Sequence, residues 1–181
     1  MILKVARLGH PVIRTRAQPV PVEQIARPEF QALIDDMVET MHEYSGVGLA
    51  APQVHLPLQI AVLEVADNPR YPDAQPVPLT VIINPVVTVL DRTTVDDWEG
   101  CLSIPDLRGL VPRFKELRVQ ALGRNGEALD FVARDFHSRV IQHETDHLKG
   151  EVYLDRMTDL RSLSHLAEWQ RYVVAPGARK S

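Results

Sequence analysis

The stretch that most constrains this chain is Gln142-His143-Glu144-Thr145-Asp146-His147-Leu148-Lys149-Gly150. Residues four apart on an α-helix lie about 40° from each other on one face, a turn apart. His143 and His147 at that spacing can grip one metal ion. Glu144 projects beside the ion, where a carboxylate can hold and deprotonate a water. Phe136 and Val140 fall within about 60° of His143 on the same wheel, so the metal face continues into an apolar stripe. The same spacing also arises on exposed helices that bind nothing, but a solvated face would not carry that stripe. The chain therefore has to be built around a buried, chemically active helix.

Two imidazoles do not complete a catalytic shell, which takes a third protein ligand and keeps one position open for water. By residue type the candidates are Cys101, Tyr153, Glu168, His10, His42, His55, His137 and His165. The HExxHxxGxxH pattern of metzincin proteases is met at Gly150, but Tyr153 stands where its last histidine should be. A glutamate on a later helix, as in gluzincin proteases, would be Glu168. The only cysteine, Cys101, lies in Trp98-Glu99-Gly100-Cys101-Leu102-Ser103-Ile104-Pro105. It is either a small buried hydrophobe or a thiolate completing a His₂Cys set, and its surroundings resemble a shaped loop more than a core strand. A Cys-His nucleophile pair would leave Glu144 and the second histidine without a use. On residue type and spacing, Cys101 and Glu168 both stand.

At 181 residues, with 45% hydrophobic and 24% charged residues, the composition predicts a single globular domain spanning 1–181. A formal charge of −4 leaves no basic footprint, so neither nucleic acid nor an anionic membrane is expected as a partner. One cysteine permits no intrachain disulfide, which suits a reducing compartment. Residues 1–16 hold no uninterrupted apolar segment, and no run approaches the roughly 18 residues of a membrane span. A cytoplasmic location is expected.

Prolines at 11, 19, 21 and 28 predict an extended lead-in over residues 1–28. Phe30, Leu33, Ile34, Met37, Val38 and Met41 recur at helical spacing and predict an amphipathic helix over residues 29–44. Gly46-Val47-Gly48-Leu49-Ala50-Ala51-Pro52-Gln53 is a run of small residues that lets a ligand or backbone come close, or simply a turn. Strands are predicted over 58–66, 79–90, 116–123 and 128–132, with an exposed excursion over 67–78 and a hairpin at Asn125-Gly126. A terminal helix is predicted over 158–172. The fold class is α+β: antiparallel or mixed β-sheets around the central metal-binding helix, with an N-terminal amphipathic helix and a C-terminal helix.

Three segments, Gly46-Val47-Gly48-Leu49-Ala50-Ala51-Pro52-Gln53, Glu99-Gly100-Cys101-Leu102-Ser103 and Gln142-His143-Glu144-Thr145-Asp146-His147, together resemble the signature motifs of the peptide deformylase family, in order and at similar separations. Each is weak alone; the three in order are specific. The chain departs from the pattern in a longer loop over 67–78 and in Arg139 and His137, where apolar residues are common. The resemblance implies an enzyme that removes the formyl group from N-formylmethionine of nascent polypeptides, releasing formate. It implies Cys101, His143 and His147 as ligands of one divalent metal, Fe²⁺ natively, with Zn²⁺, Ni²⁺ or Co²⁺ able to substitute. Glu144 would be the general acid and base, Gln53 and the Leu102 backbone N–H would meet charge on the formyl oxygen, and Gly48 would bind the substrate backbone. Phe136 and Val140, already on the metal's face, are expected to line the methionine pocket. Transient association with the ribosome follows from the implied task rather than from any residue.

Overall fold

The computed structural model describes residues 1–66 and 75–175. After a 3-10 turn at Pro11–Arg14 and a one-turn helix α1 (Val22–Ile25), the amphipathic helix α2 runs over Pro28–Glu43, with Pro28 at its first turn. It buries Phe30, Ile34, Met37 and Met41 in a core shared with Leu49, Ile60 and Val62. The proline-rich lead-in is not extended throughout, since it holds that 3-10 turn and α1; the rest is irregular and tied down by a bridge from Gln18 to Leu58.

Five strands follow one path of antiparallel neighbours: β1 (Gly48–Ala50), β2 (Ile60–Val65), β3 (Val77–Cys101), β4 (Ile104–Leu122) and β5 (Ala128–Arg134). Helix α3 (Asp135–Lys149) packs against β1, β2, β4 and β5. The strip β6 (Ser164–His165) then pairs with β4. The turn at Asn125-Gly126 joins β4 to β5, with Gly126 at φ +84.

Three expectations need correction. First, β3 is 25 residues long and β4 is 19, so residues 91–101 and 104–115 are strand. Much of 91–98 is exposed, and with no buried face there is no apolar alternation to read. Backbone pairing between the two halves of a long ribbon, with shifts near Asn84-Pro85 and Asp91, holds it instead. Cys101 is accordingly the last residue of a strand at a tight turn, not part of a loop. Second, no continuous helix spans 158–172. A 3-10 turn at Leu160–Ser162 and β6 come first, then α4 (Leu166–Trp169) and a π-helical turn at Gln170–Val174. Pairing with the edge of β4 overrides the apolar spacing there. Third, Val77 and Pro78 open β3, and residues 67–74 of the predicted excursion lie outside the described residues. Among the described residues no helix is long and apolar enough to cross a membrane.

Candidate metal centre and active site

Helix α3 is unusual in what it buries: Arg139, Glu144, Thr145, Asp146 and His147 lie inside, beside Val140, Ile141 and Leu148. Gln142 anchors it like an extra strand. Its Nε2 donates to the Phe114 carbonyl at 2.9 Å and its Oε1 accepts from the Phe114 N–H at 3.1 Å. The helix stops at Gly150, whose φ of +78 and approach to the Arg14 carbonyl leave no room for a side chain.

The turn between β3 and β4 delivers Cys101 to the two histidines of α3. The donor atoms of Cys101, His143 and His147 all lie within 4.8 Å of one another, with Cys101 Sγ 3.3 Å from His147 Nε2. Ligand bonds of about 2.0–2.3 Å at a tetrahedral centre set donors about 3.5 Å apart, so the cluster fits one small divalent cation. Glu168, the other candidate third ligand, is exposed on α4 and outside this cluster. Tyr153 is buried and stacks on His143, with centroids 6.2 Å apart.

Sequence spacing gave no role to the charged residues that hold this cluster. His143 Nδ1 meets Glu99 Oε2 at 2.9 Å, which turns its Nε2 toward Cys101. Glu99 also accepts from Arg113 at 2.8 and 3.0 Å and from Arg139 at 2.8 Å. Arg113 and Arg156 in turn hold Asp146. The available signal was chemical: a ligating histidine needs a partner on its other nitrogen, and an acid stands two residues before Cys101.

Electrostatics follow this packing. Burial pushes the Cys101 thiol up, but His147 and His143 beside it outweigh that and leave it well below its ordinary value. Burial disfavours a charged His143, yet Cys101 and Glu99 raise it well above the usual imidazole range. A cation would take the place of those imidazole protons, since metal ligands bind deprotonated. Glu144, buried and lacking a partner at Oε2 among the described residues, is pushed up to about 7 by desolvation.

Around these groups is a cleft of about 180 Å³, lined among others by Gly48, Gln53, Leu102, Phe136, Val140 and Leu166. Every site residue that the family resemblance implies except His147 borders it; of the other candidate ligands, Tyr153, Glu168, His10, His42, His55, His137 and His165, none does. Gln53 is aimed by its neighbours. Its Oε1 accepts from the Ala50 N–H at 2.9 Å, which points Nε2 at Cys101 Sγ (3.5 Å) and Ser103 Oγ (3.3 Å).

Comparison with known proteins agrees with this geometry. Residues 2–162 match the family model described as polypeptide deformylase. Peptide deformylase 1 of Nitrosomonas europaea is 47% identical over 91% of this chain and 93% of its own length. A peptide deformylase 1 of Bordetella pertussis is 46% identical over 91% and 93%. Among solved structures, a Met-Ala-Ser-bound class I type b peptide deformylase of Acinetobacter baumannii superposes with a TM-score of 0.84 at 36% identity, covering 87% of this chain and 99% of that one. The enzyme of Thermotoga maritima does so with 0.77 at 34%, covering 88% and 99%. The chain belongs to the peptide deformylase family, metal-dependent enzymes that remove the formyl group from N-formylmethionine at the start of newly made polypeptides.

Proposed function

We propose that Cys101, His143 and His147 bind Fe²⁺, and that Glu144, Gln53 and Leu102 carry out deformylation around it. The observation that supports this most is the meeting of three metal-type donors with a buried carboxylate whose Oε2 has no partner among the described residues. Thiolate and imidazole suit Fe²⁺ and Zn²⁺ alike; the choice of iron rests on the family resemblance. A divalent cation held there supplies the Lewis acidity that makes water a nucleophile at neutral pH.

Glu144 takes one proton of the water as the water oxygen bonds to the formyl carbon, and delivers it to the amine nitrogen as the formyl C–N bond breaks, leaving formate and a free amine. An amide nitrogen is a poor leaving group until protonated, and a carboxyl poised near 7 can both accept and give. Gln53 Nε2 and the Leu102 N–H donate to the formyl oxygen as it gains charge, each worth about 10²–10³ in turnover. The Gly48 backbone binds the peptide, and Phe136 and Val140 flank the methionine side chain. In support, all five residues border the same cleft. The Met-Ala-Ser tripeptide bound by the Acinetobacter baumannii relative has the form of a deformylated product. We place the enzyme in the cytoplasm, in transient contact with the ribosome, because that is where such substrates emerge.

The test is formate release from formyl-Met-Ala. Glu144→Ala should lower turnover by about 10²–10⁴ with the metal still bound; release at the parent rate would refute the assignment. Iron is tested by metal analysis after anaerobic purification. Activity should be lost in air and restored by anaerobic Fe²⁺ or by Ni²⁺, whereas an air-stable enzyme holding only zinc would exclude native iron.

A further inference from the structure

The family match ends at residue 162, yet the next few residues help to build the cleft. Ser164 and His165 pair antiparallel with Arg108 and Leu107 of β4. Continuing that register sets Leu166 beside Asp106, two residues along from Ile104, which pairs with Cys101. Two residues of strand advance about 7 Å. Leu166 therefore borders the cleft some way past the metal donors, together with Pro105, Asp106 and Arg108.

Trp169 fixes this segment in place. Its ring lies 5.9 Å from the Trp98 ring and 5.9 Å from the Arg108 guanidinium carbon. Arg108 is buried and packs against Gly100, where a Cβ would come 2.9 Å from Nε. Cation-π and aromatic contacts thus tie residues 166–169 to the strands on both sides of the Cys101 turn.

We propose that residues 163–169 are a specificity element of the active site. Leu166 packs on apolar side chains of the substrate residues that follow the methionine, and Trp169 is the positioning residue that holds Leu166 there. A peptide with its formyl group at the metal donors, extended at about 3.4 Å per residue, brings its second and third residues to this distance. The inference rests on the deformylase reading of the site.

The test compares formyl-Met-Leu-Leu with formyl-Met-Gly-Gly. Leu166→Ala should lower kcat/KM for the first about threefold to tenfold and leave the second within about twofold, as the loss of part of an apolar wall requires. Trp169→Ala should do the same, and Trp169→Phe should restore much of the preference. The only two tryptophans, Trp98 and Trp169, both sit at this corner, so their emission gives a second readout. Met-Leu-Leu should change it and bind more tightly to the parent than to Leu166→Ala, while Met-Gly-Gly should not discriminate. Equal losses on both peptides, or none on either, would overturn the proposal while leaving deformylation intact. If the parent released no formate from either peptide, the deformylase reading itself would fall, and this inference with it.

Discussion

Gly48 lies directly against the carboxylate of Glu144. A Cβ added at Gly48 would sit 2.6 Å from Glu144 Cδ and 2.8 Å from Cγ. Both partners are buried, one on a short edge strand and the other on α3, so neither can step back easily. The glycine therefore sets the position of the carboxylate proposed to transfer the proton. Gly48→Ala should push the carboxylate out of line and lower kcat about 10²-fold or more, because an ångström of misplacement costs that much. Metal content should be unchanged, since Gly48 presses on Glu144, which is not one of the three donors. Parent-like kcat in a metal-loaded Gly48→Ala enzyme would show that the carboxylate has freedom this packing denies it.

Arg139 fastens α3 to both long strands. Its guanidinium donates to Glu99 Oε1 and the Val111 carbonyl at 2.8 Å and to the Val95 carbonyl at 2.6 Å. Arg139→Met would leave Glu99 and the Val111 carbonyl buried with fewer donors and remove one of the cations around Glu99. Breaking such a buried pair costs about 3–5 kcal/mol. The urea midpoint should fall accordingly with little change in slope. A variant as stable as the parent would mean that Arg113 and His143 alone satisfy Glu99.

The helix spacing of His143, Glu144 and His147 could be read from the sequence because it depends on local geometry alone. The same holds for α2, whose apolar residues recur on one face, and for the Asn125-Gly126 turn. The choice of Cys101 over Glu168 could not be read that way, since it depends on a strand turn bringing residue 101 to residue 147. Residue type and motif order suggested it; only the fold brings the atoms together. The Glu99–Arg113–Asp146 network was hidden for a related reason. Buried charges carry no periodic signal, and their partners lie on different elements. The C-terminal segment misled because Leu160, Leu163 and Leu166 have helical spacing, while the available partner is the edge of β4.

Replacing Cys101 separates the two ligand sets experimentally. Cys101→Ser keeps the size of the side chain but removes the thiolate, so the purified protein should contain little metal and release no measurable formate. Glu168→Ala, at an exposed position on α4, should leave metal content and turnover at the parent level. The opposite pattern, with metal lost from Glu168→Ala and kept by Cys101→Ser, would require a ligand arrangement this fold does not bring together.

The buried carboxylates make stability depend on acid in a definite direction. Burial pushes Glu99 up, but its bonds to His143 and Arg113 prevail and hold it far below the ordinary carboxylate range. Asp146 is likewise raised by burial, and Arg156 and Arg113 bring it net below its ordinary value. Because both values are depressed in the folded protein, the unfolded chain binds more protons as the pH drops through about 4. Their contribution is therefore complete above about pH 5 and is lost as pH falls toward the folded values. The guanidinium chloride midpoint should decline steadily from pH 6 to pH 3. Asp146→Asn should start lower at pH 6, with Arg113 and Arg156 missing a carboxylate, and should show a shallower decline because one titrating group is gone. A parent midpoint that stays flat or rises over that interval would mean these acids are no more strongly held in the folded protein than in the unfolded chain.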